Sequence, residues 1–178
     1  MRYVGLLRAV NLGSTRKVPM AELRDLMGEL GFEDVTTLLQ SGNVVFSAPR
    51  TAVATMAGRI EAALEDRFGF PVPTMIRTGT QLERIVAANP FPDGDDHPTQ
   101  LHVSFADGPV KAAALKDVDE DAFAPEAFRV GQEELYLWFP NGAGRAKMKV
   151  PFEKLLGVRL TARNWNTVLK LRDLLSEP

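Results

Sequence analysis

The chain has 178 residues, 45% hydrophobic and 25% charged, with a formal net charge of -2, an ordinary globular composition with enough length for one good core or two small ones. It contains no cysteine, which excludes disulfide frameworks, thiolate nucleophiles and cysteine-bound zinc or iron-sulfur sites. The longest apolar stretches, such as 4–7 and 135–139, fall far short of the ~20 residues that cross a bilayer, and Arg8 interrupts the N-terminal run without a cleavage pattern behind it, so no membrane partner and no signal peptide is expected.

Residues 3–9 read as a first strand, apolar on both faces apart from Arg8. Met20, Leu23, Met27 and Leu30 then recur at helical spacing after Pro19, which suits a first helical turn, and Gly31 supplies a stop. Residues 35–39 and 44–47 are two short β runs around Gln40-Ser41-Gly42-Asn43, in which Gly-Asn suits a two-residue hairpin turn. Val53, Met56, Ile60, Leu64 and Phe68 mark a second amphipathic helix that ends at Gly69, before a strand over 72–77. This β-α-β-β-α-β order over residues 1–78 is the split βαβ arrangement of ferredoxin-like domains, with the first strand antiparallel to the third and two helices on one face.

Residues 79–99 hold a helix over 81–88 and an acidic, proline-rich loop, and read as a connector. Residues 100–178 repeat the order less clearly: strand 101–105, helix 110–116, strands 128–130 and 135–139, helix 152–156, strand 158–163 and an additional C-terminal helix over 165–175. The expected fold class is therefore α+β, with two ferredoxin-like lobes in tandem. No residue-level repeat links the halves, so the duplication rests on element order alone. The first strand is apolar on both faces while helices cover only one, so its sheet needs a second cover, supplied by the second lobe in a monomer or by a homodimer contact.

The metalloprotease, nucleophile-elbow, P-loop and dinucleotide patterns are all missing. Of the two histidines, His97 sits in the acidic loop 93–98 and reads as an exposed residue, not a metal ligand. His102 alternates with Ser104 opposite Leu101, Val103 and Phe105 and reads as a surface or interlobe residue. No metal site and no cofactor is expected, and an enzyme would need a base or nucleophile that no recognisable constellation supplies. Charge is uneven along the chain: 9 basic and 8 acidic side chains over 1–78, 4 and 12 over 79–140, and 8 and 3 over 141–178. Such a distribution can steer an anionic partner or compensate internally.

Polar residues gather at strand ends. In a split βαβ sheet the loop after the first strand and the hairpin tip share an edge, bringing Arg8, Asn11, Gly13, Ser14, Thr15, Arg16 and Lys17 toward Gln40, Ser41, Gly42 and Asn43. Arginine offers a planar fork of donors, carboxamides pair donor with acceptor, and the glycines allow close backbone approach, a chemistry suited to anions or amides. Turn chemistry explains the same residues. In the second half, Asn141-Gly142-Ala143-Gly144-Arg145-Ala146-Lys147 has the glycines and cations of a phosphate cradle without the full P-loop pattern. Beside it Thr161-Ala162-Arg163-Asn164-Trp165 would supply a guanidinium, a helix cap and an aromatic ring that serves either as core or as a stacking platform.

The segments Leu6-Leu7-Arg8-Ala9-Val10-Asn11-Leu12-Gly13, Gln40-Ser41-Gly42-Asn43-Val44 and Thr161-Ala162-Arg163-Asn164-Trp165-Asn166-Thr167 together resemble a bacterial family, domain of unknown function 1697. That resemblance implies two ferredoxin-like α/β lobes and no established activity, substrate or cofactor. Its motifs carry over Arg8, Asn11, Gly13, Gln40, Ser41, Gly42, Asn43, Lys147, Thr161, Arg163, Asn164, Trp165 and Thr167. The chain departs from the family pattern at Ala9 and Ser14, where glycines are expected, and at Ala146, where a serine is expected before Lys147.

The leading expectation is that an anionic small ligand, a nucleotide or other phosphate compound, or a nucleic-acid segment binds between two strand-end edges. Arg8, Arg163 and Lys147 would supply charge and Trp165 stacking. The alternative is a non-catalytic interaction or scaffold protein whose polar motifs form an interlobe hydrogen-bond network. The cysteine-free composition fits a reducing, cytoplasmic compartment.

Overall fold

The computed structural model describes residues 1–176. The first half contains β1 (Arg2–Leu7), α1 (Met20–Glu29), β2 (Glu33–Leu38), β3 (Asn43–Ser47), α2 (Val53–Phe68), β4 (Thr74–Thr78) and α3 (Gly79–Ala87). The second contains β5 (Leu101–Ala106), β6 (Ala127–Val130), β7 (Glu134–Trp138), α4 (Phe152–Leu156), β8 (Leu160–Asn164) and α5 (Trp165–Ser176). The fold is mixed α+β, with two four-stranded antiparallel sheets ordered β2-β3-β1-β4 and β6-β7-β5-β8. The described residues divide into two compact units, Met1–Glu83 with 171–176, and Arg84–Lys170. Among the described residues no helix is long and apolar enough to cross a membrane.

In the first unit, strand alternation places Tyr3 and Leu7 on the face that packs against Leu23 and Met27 of α1 and Met56, Ile60 and Leu64 of α2. Gly69 closes α2 in the left-handed conformation, its N–H returning to the Glu65 carbonyl. The opposite face of the same sheet, formed by Val4, Leu6, Asn43, Val45, Met75 and Arg77, is buried too. That is why β1 reads as apolar on both sides.

Two sequence expectations for this unit need correction. The strand ends at Leu7, so Arg8 does not lie within it. The Arg8 N–H still reaches the Pro73 carbonyl at 2.8 Å, but Ala9 turns left-handed at φ 54° and the chain leaves the sheet. The hairpin turn is also not Gly-Asn: Asn43 is a fully buried strand residue paired with Leu38 and Leu6, and the turn runs over Leu39-Gln40-Ser41-Gly42.

The second unit keeps the strand order but not the first helix. Residues 110–116 were expected to be helical; they form a 3₁₀ turn, Ala112–Leu115, followed by another at Glu120–Phe123. The buried apolar side chains there are Val110, Leu115 and Phe123. Their spacing does not make one face of an α-helix, and a run this short cannot hold an isolated helix by propensity alone. His102 and Ser104 share a face with Ala106, which belongs to the cluster containing Phe128, Leu135, Phe139 and Met148. The His102 ring therefore meets Phe139 edge-on, with centroids 5.5 Å apart.

Burial lowers the His102 pKa below the ordinary 6.5, against a smaller opposing pull from the backbone of Gln100. The charged form is thus favoured in the unfolded chain, which binds the extra proton first as pH falls, so stability is lost below about pH 6.5. A His102→Leu variant should lose part of the fall in melting temperature between pH 7 and pH 5 seen in the parent. An identical pH profile in both proteins would show that His102 does not contribute.

Comparing the two sheets reveals a residue-level equivalence between the halves that the sequence alone does not display. Arg77 and Arg163 are each the fourth residue of a five-residue strand, opposite Val4 and Val103 respectively, each the third residue of its strand. In both, Nη1 donates to the preceding carbonyl at 2.8 Å. Each is followed by a helix capped by the next residue, Thr78 toward the Gln81 N–H and Asn164 toward the Thr167 N–H.

Candidate functional site

The loop after β1 and the β2–β3 turn meet at one rim of the first unit, as the topology requires, and Asn11 joins them. Its Nδ2 donates to the Gln40 carbonyl at 2.7 Å and the Val18 carbonyl at 2.9 Å, while its Oδ1 accepts the Val18 N–H at 2.9 Å. Arg16 braces the same loop: Nε donates to the Ala9 carbonyl at 3.0 Å, Nη2 to the Pro71 carbonyl at 2.6 Å, and the guanidinium lies 4.9 Å from the Phe70 ring centroid. Ala9, Asn11 and Arg16 hold φ values of 54°, 56° and 53°, and Gly13 holds 69°, so four residues of this short loop are left-handed. Such a backbone persists only where surrounding bonds over-determine it.

That bracing leaves the loop tip exposed. The N–H groups of Leu12, Gly13 and Ser14 and the hydroxyls of Ser14 and Thr15 make no hydrogen bond to another described residue. Arg16 and Lys17 donate to carbonyl oxygens instead of carboxylates, with Lys17 Nζ on the Gly13 carbonyl. The three segments that form the rim, 8–19, 39–42 and 69–73, include Arg8, Arg16 and Lys17, and the Glu61 carboxylate borders them, accepting the Thr74 N–H at 2.8 Å. At the corresponding rim of the second unit an arginine does meet a carboxylate, Arg159 Nε lying 2.6 Å from Asp107 Oδ2.

Other expected contact residues turn out to hold structure. Asn43 is 0% exposed and donates through Nδ2 to the Leu38 carbonyl at 2.8 Å and the Ser41 hydroxyl at 3.0 Å. Gly42 has φ 78°, and a Cβ there would stand 2.6 Å from Val10 and 2.7 Å from Leu7. Gln40 and Ser41 are exposed at the turn.

In the second unit Trp165 is 1% exposed, its indole N–H donating to Asp95 Oδ1 at 2.8 Å, so no ligand can stack on it. Arg163 is 8% exposed, with Nη1 on the Thr161 hydroxyl and the Ala162 carbonyl at 2.8 Å each, and burial brings its pKa down to about 10, still protonated at neutral pH. Asn164 caps α5 by accepting from the Thr167 N–H and hydroxyl at 3.0 Å each.

Sequence reasoning missed two buried carboxylates, one of which answers the phosphate-cradle question. The 141–147 loop does present backbone donors to an anion, but the anion is the protein's own Glu126: it accepts from the Lys147 N–H at 2.8 Å and the Met148 N–H at 2.7 Å and is itself 5% exposed. Glu134, 0% exposed, takes both Arg84 guanidinium arms at 2.9 and 3.0 Å and the Glu133 N–H at 3.0 Å. That hydrogen-bonded pair is the main cause of a raised Arg84 pKa, and burial, with the nearby Glu134 charge, pushes the Tyr136 phenol upward. A cleft of about 380 Å³ opens beside this pair, lined in part by Arg129, Gln132 and Tyr136, but the Arg84 charge within it is already answered by Glu134. The only local signal was an acidic residue at the start of a strand apolar on both faces. Its partner lies 50 residues away.

Among the described residues no group of three or more His, Cys, Asp or Glu could hold a metal ion. Fold and geometry together define an α+β protein whose internal anion cradles are filled by its own carboxylates and whose first rim keeps exposed donors. A model of the family described as protein of unknown function (DUF1697) matches residues 1–136, and the chain belongs to that family. The chain is also similar to the structure of the conserved bacterial protein SP0830 from Streptococcus pneumoniae, with 22% identity, 98% of each chain covered and a TM-score of 0.77. The search of curated proteins gave no match.

Proposed function

We propose that this protein binds an anionic partner, a phosphate-containing small molecule or a nucleic-acid segment, at the rim of its first unit. The observation that carries this reading is the exposed Leu12–Lys17 loop, whose Leu12, Gly13 and Ser14 N–H groups and Ser14 and Thr15 hydroxyls stay unengaged by described residues beside Arg16 and Lys17, two cations that donate only to carbonyl oxygens. Donors fixed in place before binding lose little freedom when they capture an anion, and Asn11 and Arg16 do that fixing. Arg8, Gly13, Gln40 and Ser41 belong to the same rim, whereas Lys147, Arg163, Asn164 and Trp165 contribute to the second unit's own structure. We further propose that both halves are ferredoxin-like lobes; the shared strand order and the Arg77/Arg163 equivalence support this.

The test is isothermal titration with inorganic phosphate and pyrophosphate at low salt, comparing the parent with Lys17→Glu and with the Ser14→Ala/Thr15→Ala pair. Each variant is exposed and should keep its melting temperature. Lys17→Glu should weaken binding by about tenfold or more, because a reversed charge repels what the original attracted, and affinity should fall as salt rises. Equal affinity in parent and Lys17→Glu would contradict the reading. The scaffold alternative draws on the internal engagement of Asn43, Arg163 and Trp165, and it predicts no anion response from any of these proteins.

A further inference from the structure

Leu12 and Leu39 are 69% and 55% exposed, two of the four large hydrophobic side chains left exposed among the described residues. Both stand on the rim. The hydrogen bond from Asn11 Nδ2 to the Gln40 carbonyl ties together the residues directly beside them, so the two leucines stand on joined segments of the rim. Leu39 is the more telling of the pair, because its φ of 60° is left-handed. That conformation suits glycine or asparagine and is costly for leucine, and a residue 55% exposed recovers little of the cost through packing. Neither the backbone nor the core calls for leucine at this position.

We infer, resting on the anion-binding reading, that the bound anion carries an apolar body and that Leu12 and Leu39 grip it: the ligand class is a nucleoside phosphate, with phosphate on the loop donors and the base against the leucines. A mineral anion would leave both leucines in water. A base offers a flat apolar face that aliphatic side chains cover regardless of its identity, while its phosphate meets Lys17 and the N–H groups of Gly13 and Ser14. Free nucleotides and nucleic-acid strands present the same chemistry, and the experiment separates them.

The full chain is titrated with inorganic phosphate, ribose 5-phosphate, adenosine monophosphate and an eight-nucleotide RNA, using the parent, Leu39→Asn and the Leu12→Ser/Leu39→Asn pair. In the parent, adenosine monophosphate should bind about tenfold tighter than ribose 5-phosphate, about 1.4 kcal/mol. The double variant should erase that gap while keeping the ribose 5-phosphate affinity. Leu39→Asn should also raise the melting temperature by about 2 °C, since asparagine tolerates the left-handed backbone that leucine resists. RNA binding that is tighter still and equally dependent on Leu39 assigns the strand as ligand; RNA no tighter than the mononucleotide assigns the free nucleotide. A parent with no preference for the base, a gap intact in the double variant, or a lowered melting temperature in Leu39→Asn overturns the inference while phosphate binding stands. Absence of phosphate and ribose 5-phosphate binding overturns both readings.

Discussion

Replacing Gly42 with alanine should destabilise the protein by about 3 kcal/mol, the sum of a left-handed backbone cost of about 1–2 kcal/mol and overpacking of about 1–3 kcal/mol. The new Cβ would be driven against Val10 Cγ2 and Leu7 Cβ, at 2.6 and 2.7 Å, and neither can retreat easily because both are buried. For a chain of this length the melting temperature should drop by about 10 °C. Gly13→Ala is the matched control. Gly13 is also left-handed, at φ 69°, yet nothing lies within 4 Å of its would-be Cβ, so only the backbone cost of about 1 kcal/mol applies. Equal melting temperatures for the two variants would show that the turn is not packed against β1 and its following loop.

Arg84→Met should cost about 3 kcal/mol as well, by a different route. It leaves the fully buried Glu134 carboxylate with two backbone donors, the Glu133 N–H at 3.0 Å and the Gln132 N–H at 3.4 Å, in place of a bidentate guanidinium. Breaking one side of a buried ion pair is far worse than removing both sides. The Arg84→Met/Glu134→Leu protein should therefore recover most of the loss in a chemical denaturation series. A double variant no more stable than Arg84→Met would mean that the carboxylate matters through its backbone contacts and not through its charge.

The first half of the fold was legible because hydrophobic period and punctuation agree there. Met20, Leu23 and Met27 define α1 and Gly69 ends α2, each a local signal read correctly from the sequence. Residues 110–116 were misread because helix formers such as Ala112, Ala113 and Ala114 say nothing about which side chains are buried. Asn43 was misread because turn chemistry and a buried strand position look alike in one dimension; only the pairing with Leu6 and Leu38 distinguishes them.

At the candidate site the sequence identified the rim but not the roles within it. Asn11 and Arg8 stood out equally as polar residues, yet Asn11 serves as a brace. Leu12 and Leu39 were passed over because an exposed leucine is invisible until burial and backbone angles are known. Glu126 and Glu134 escaped notice for a related reason: their donors lie 21 and 50 residues away, beyond any local pattern.

Amide chemical shifts test the anion site at the rim residue by residue. On titrating the ¹⁵N-labelled protein with inorganic phosphate, the Leu12, Gly13 and Ser14 amide signals should move with saturation. Those of Lys147, Met148 and Glu133, already given to internal carboxylates, should stay in place. Movement confined to the second group, or no movement at residues 12–14, would contradict the assignment of the anion site to this loop.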